Sequence, residues 1–154
     1  MSPIDARTSR LVADIRREWG QVKLHGDKAR SVDPSQGEPH AALVALSLDH
    51  AYQAFETLLL RVERALGLPE RAGANWHAQI LFESNEPLPG VRPPVYPADA
   101  AADWEALLRF RHFLRHAYAV KLDAAKLAAN VARLERCVSA TDPLVEALAD
   151  ALAP

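Results

Sequence analysis

Between Arg109 and Tyr118 the chain runs Arg-Phe-Arg-His-Phe-Leu-Arg-His-Ala-Tyr: three arginines, two histidines and one tyrosine, interleaved with Phe110, Phe113 and Leu114. An ordinary surface helix spreads Lys and Glu over its solvent face. Concentrating Arg and His selects a different chemistry. The guanidinium fork binds phosphate oxygens and keeps its charge, and imidazole gains and loses protons near neutral pH. The candidate functional residues are therefore Arg109, Arg111, His112, Arg115 and His116, with Tyr118 beside them.

The rest of the chain reads as helices that hold this one. Ser2, Pro3 and Asp5 form a helix start with a capping box, and Ile4, Leu11, Val12, Ile15, Trp19 and Val22 follow at three- and four-residue steps. His25-Gly26 is expected to end that helix, with residues 26–38 as a loop. Pro39 opens a second helix, whose apolar run through Leu66 is closed by Gly67-Leu68-Pro69. Its part from His50 to Leu66 is the expected central core helix. Asn75 caps a short helix to Phe82. Residues 85–97 carry five prolines and are expected to cross the surface in extended form. A further helix spans about Ala98 to Val120 and carries the Arg/His stretch. Asp123 caps the next one, with Leu127, Val131, Leu134 and Val138 in step, and Asp142-Pro143 opens a last short helix. No alternating strand pattern is visible. The expected architecture is all-α, a bundle of about four main helices plus short ones.

Composition sets bounds on function. The 154 residues fit one domain, 1–154, with enough chain to bury a core without metal or disulfide. Eighteen basic against 20 acidic residues give a net charge of −2, so any nucleic-acid contact must come from a local patch. The single cysteine, Cys137, excludes an internal disulfide, suits a reducing cytoplasm, and reads as a small core residue. No signal peptide and no membrane span are expected. Neither is a cofactor.

Arg111-His-Phe-Leu-Arg-His116-Ala-Tyr118 resembles the R-x4-H-x-Y form of the HEPN superfamily motif found in HepT-like toxins, the partners of minimal nucleotidyltransferase antitoxins. The surroundings match in the same order. They comprise His50 to Leu66, Trp76-His77 with Leu81, Arg92-Pro93-Pro94-Val95, the motif itself, and Leu122-Asp123. The resemblance covers roughly residues 48–138. It implies a HEPN-type helical bundle and a metal-independent RNase acting as a homodimer, with two copies of the motif in a cleft between subunits. It also implies that the partner, of type VII (HEPN/MNT), attaches AMP to Tyr118, which would fill the Arg/His site with negative charge.

RNA cleavage requires the 2′-hydroxyl to lose a proton, the phosphorane charge to be stabilised and the leaving 5′-oxygen to gain a proton. His116 is assigned to proton transfer and Arg111 to phosphate stabilisation. The second proton-transfer group is either His116 of the other subunit or His112. On an ideal helix Arg111 and His116 lie about 140° apart, whereas Arg109, His112 and His116 share a face and Arg111 lies under Tyr118. Arg109 offers an alternative R-x6-H spacing. Arg111 is preferred because the family motif favours a polar residue directly after its Arg.

Plainer readings stand beside these. Arg111 and Arg115 could be solvated residues paired with Glu105 or Asp103. His112 and His116 form an i, i+4 pair with zinc-ligand spacing but no Cys or acidic partner close in sequence. His50 reads as a buried, hydrogen-bonded histidine, His77 as structural, and Tyr118 as a core tyrosine. At the level of function, the alternatives to the ribonuclease toxin are two. One is a catalytically inactive HEPN-like module that binds a nucleotidyltransferase partner or a nucleotide. The other is a small-anion binder.

Overall fold

A computed structural model describes residues 2–117 and 121–153. Five α-helices account for most of them: α1 Pro3–Arg30, α2 Glu38–Ala65, α3 Trp76–Ser84, α4 Ala101–His116 and α5 Ala124–Leu152. The described residues contain no β-strand, and the fold is an all-α, HEPN-type bundle. Helix α2 packs against each of the other four. Its buried face, including Val44, Leu48, Ala51, Phe55, Leu58, Leu59 and Val62, forms the middle of the core. Phe55 stacks on Trp104 of α4 at 3.8 Å and meets Trp19 of α1 and Tyr96 edge-on.

The helix ends follow local chemistry where side chains cap them. Ser2 and Asp5 form the expected capping box on α1, and Asp123 accepts from the backbone of Ala125 and Lys126 at α5. At α3 the N-cap position is Asn75, as expected, but its side chain makes no capping hydrogen bond.

Two helices run through residues that read as breakers. Helix α1 does not end at His25-Gly26 but continues to Arg30. A glycine inside a helix costs roughly 0.5–1 kcal/mol, but Gly26 packs beside Leu134 of α5 and the added turn buries Ala29. Helix α5 likewise continues through Pro143, so no separate terminal helix begins there. Its neighbours are pinned. Thr141 Oγ1 accepts from Trp104 Nε1 at 3.1 Å and Asp142 Oδ1 from Trp19 Nε1 at 2.7 Å, while Val145, Leu148 and Ala149 are buried beyond. Those contacts offset the ~3 kcal/mol that an interior proline costs.

Two stability predictions arise here. Gly20 lies inside α1, and an added Cβ there would meet nothing within 4 Å. Gly20→Ala should therefore raise unfolding free energy by about 0.5–1 kcal/mol in a denaturant titration. The Trp19 indole N–H, assisted by Lys23, holds the Asp142 carboxyl below its ordinary value. Its stabilisation is thus present above the unfolded carboxyl's pKa of about 3.9 and lost as pH falls through the lower folded value. The stability advantage of wild type over Asp142→Asn should be full at neutral pH and shrink away below about pH 4.

The proline-rich segment is more than a surface crossing. Leu88 and Arg92 pair across a turn at Pro89-Gly90, where Gly90 has φ 75°. Pro before Gly in that conformation is the type II pattern. Beyond it Val95 and Tyr96 enter the core, Tyr96 donates to the Leu81 carbonyl, and buried Arg92 donates to the carbonyls of Glu83, Glu86 and Pro93. Arg71 bridges Glu63 of α2 and Glu83 of α3. The loop ahead of α3 is therefore anchored at Arg71 and the chain after α3 is tied back to it, which fixes the helix that faces the Arg/His stretch.

Candidate functional site

Helix α4 ends at His116, with Ala117 extended at φ −102°, ψ 94°, rather than running to Val120. Arg115 and His116 occupy its last turn, where positive charge complements the helix dipole. The wheel angle that set Tyr118 beneath Arg111 assumed a continuous helix and no longer applies. Tyr118 itself lies outside the described residues.

The second half of α4 faces the start of α3 across a cleft of about 500 Å³. Leu108, Arg109, Arg111, His112, Arg115 and His116 line one side, and Ala74, Asn75, His77 and Ala78 the other. Five of the six candidate residues thus converge on one cavity, joined by His77. No side chain caps the N-terminal turn of α3, whose His77 and Ala78 line that cavity.

The three arginines differ in setting. Arg109 is exposed and, among the described residues, pairs only with Glu105, at 3.5 Å. Arg115 is half-exposed, with Asp49 at 3.8 Å. Arg111 is 7% exposed. Its Nη1 donates to Glu56 Oε1 at 3.2 Å, and its Nε lies 3.3 Å from Asp49 Oδ1 without hydrogen-bond alignment. Its guanidinium carbon is 5.8 Å from the centre of the Tyr52 ring. The partners of Arg111 and Arg115 are therefore acids of α2, not Glu105 or Asp103. Asp103 is taken by Arg133 and Arg136 of α5.

Asp49, Tyr52 and Glu56 stand at i, i+3 and i+7 on α2, so one face of the central helix carries the acids that receive Arg111. Burial pushes the Tyr52 phenol well above its ordinary pKa, with the Glu56 charge adding to the shift. Glu56 is 5% exposed, and its other oxygen, Oε2, is 2.7 Å from His77 Nδ1. One buried carboxylate thus joins α2, α3 and α4.

The histidine tautomers follow from their partners. His116 Nδ1 lies 2.8 Å from the His112 carbonyl oxygen. A carbonyl only accepts, so Nδ1 carries the proton and Nε2 holds the lone pair of the neutral ring. The His112 ring lies beside that of His116, tilted by 32° with ring centres 4.3 Å apart. No third metal-ligating side chain joins this pair among the described residues. His50, expected to be buried and hydrogen-bonded, is half-buried and meets His25 edge-on at 5.0 Å, with no hydrogen bond among the described residues. Cys137 is fully buried, and burial raises its thiol pKa.

Sequence reasoning missed Asp49 and Glu56 and set His77 aside as structural. The available signal was the two acids, seven residues apart in the helix with the longest apolar run. Acids on the core face of such a helix need cationic partners.

The all-helical bundle that carries this cleft is of the HEPN type. The chain belongs to the HepT-like family: the sequence model described as HepT-like protein matches residues 43–152, from α2 to the end of α5. No curated protein and no solved structure matches the sequence. No helix among the described residues is long and apolar enough to cross a membrane.

Proposed function

We propose that this chain is the metal-independent endoribonuclease toxin of a type VII pair, working in the cytoplasm as a homodimer of one domain per chain. Its cognate minimal nucleotidyltransferase would neutralise it by attaching AMP to Tyr118. The observation that carries this reading is the α3–α4 cleft, where Arg109, Arg111 and Arg115 accompany His116, whose Nε2 is the ring nitrogen left free for proton exchange. Such a wall attracts a phosphodiester and can exchange protons with it. In this reading His116 transfers a proton. Arg111 holds Asp49 and Glu56 at the buried edge of the cleft, while Arg109 and Arg115 reach the phosphate from solvent. His112 supports His116 through its carbonyl and its ring.

The experiment is incubation of purified protein with RNA in EDTA. The expected products end in 2′,3′-cyclic phosphate. Prior treatment with the nucleotidyltransferase and ATP should abolish cleavage in wild type and leave Tyr118→Phe active and unmodified. Intact RNA from unmodified wild type would end the enzymatic reading. The neutralised charge of Arg111 favours a second one: a HEPN-like module without activity that binds its nucleotidyltransferase or a nucleotide. That module would bind the partner yet leave RNA intact.

A further inference from the structure

We infer that His77 is the second proton-transfer group of the cleft, held in place by Glu56 and taking the 2′-hydroxyl proton of the RNA. This rests on the ribonuclease reading and deepens it. A proton-transfer histidine needs an orienting partner on one ring nitrogen and substrate access for the other. Glu56 Oε2 lies 2.7 Å from His77 Nδ1. An ionised carboxylate only accepts, so Nδ1 carries the proton and Nε2 of the neutral ring is the base. The carboxylate cannot swing away, because Arg111 Nη1 donates to its other oxygen at 3.2 Å and Glu56 is buried. The ring is held on a second side by Trp76, stacked 3.6 Å away at 28°. The His77 side chain nonetheless remains 39% exposed and lines the cavity shared with His116.

His112 is the weaker candidate. Its carbonyl and ring are both committed to His116, and no carboxylate touches its ring among the described residues. His77 lies on the opposite wall of the cleft from His116, the arrangement that attack and departure on opposite sides of a phosphorus require. In the step, O2′ bonds to phosphorus and its proton passes to His77 Nε2, where the Glu56 charge stabilises the imidazolium. The P–O5′ bond breaks as O5′ takes a proton from the His116 imidazolium. Both rings then return to their starting states by exchange with water. One protomer thereby holds both proton-transfer groups.

The test uses full-length wild type, His77→Ala, His77→Asn and His116→Ala on two substrates, a dinucleotide and a nucleoside 3′-(4-nitrophenyl phosphate). The aryl ester's leaving group departs without a proton. His77→Asn keeps an N–H for Glu56 and so preserves the tie between α2 and α3, which its Tm should report. Both His77 variants should lose on the order of 100-fold in kcat/KM on both substrates, together with the acidic limb of the pH profile. His116→Ala should be slow on the dinucleotide and recover on the aryl ester. A folded His77→Asn within about threefold of wild type, acidic limb intact, would reduce His77 to an anchor of α3. Recovery of the His77 variants on the aryl ester would overturn its role as base. A wild type inactive on both substrates would remove the ribonuclease reading itself, and this assignment with it.

Discussion

His116→Ala is expected to lower RNA cleavage on the order of 100-fold or more while leaving Tm close to wild type. The two halves of that expectation have separate causes. His116 is exposed in the last turn of α4, and its one hydrogen bond among the described residues goes to the His112 carbonyl of its own helix. Removing it opens no cavity in the core and leaves no buried partner unsatisfied, and surface changes of that kind usually stay within about 0.5 kcal/mol. The ring instead supplies Nε2 to a cleft that it shares with three arginines. Cleavage of a fluorescent RNA beside a thermal melt measures both. Full activity in a folded His116→Ala would remove this residue from the chemistry and leave the arginines as an anion-binding surface.

Arg111→Ala should act the other way, through stability first. Removing one partner of a buried ion pair typically costs about 3–5 kcal/mol, because the remaining charge is left without compensation. The side chains of Asp49 and Glu56 are 12% and 6% exposed, and Arg111 is the cation that faces both. His77 still touches Glu56, but among the described residues Asp49 keeps only the more distant Arg115. The denaturant midpoint should fall accordingly. Arg109→Ala should shift it by no more than about 0.5 kcal/mol, since its pair with Glu105 is solvent-exposed. Activity of Arg111→Ala therefore has meaning only at a matched folded fraction. An unchanged midpoint would show that the two acids find other partners, and would restore Arg111 as a residue free to meet phosphate.

The contrast between these positions marks what was legible in the sequence. Periodicity exposed the buried stripes of α1, α2 and α5, and side-chain caps at Ser2 and Asp123 placed two helix starts. Those signals live within one helical turn. Gly26 and Pro143 misled because their local preference was outweighed by distant neighbours: Leu134 for the glycine, and Trp19 and Trp104 for the residues beside the proline. The Arg/His stretch announced its chemistry through composition. Which arginine points inward depended on Asp49 and Glu56, more than fifty residues earlier, and no spacing within the stretch encodes that. His77 fell to the same limit, since its partner Glu56 lies on another helix.

Because Glu56 gives one oxygen to Arg111 and the other to His77, substitutions at these two positions on separate helices are not independent events. Each single change alters the charge balance around the same carboxylate, so the effect of the second depends on whether the first has already been made. Sequence change in this cleft is thereby epistatic. A substitution at Glu56 that no longer needs a cation makes the loss of Arg111 less costly, whereas the loss of Arg111 alone meets the full penalty. The order in which mutations arrive, as much as their identity, sets which variants of this cleft can be reached through folded intermediates.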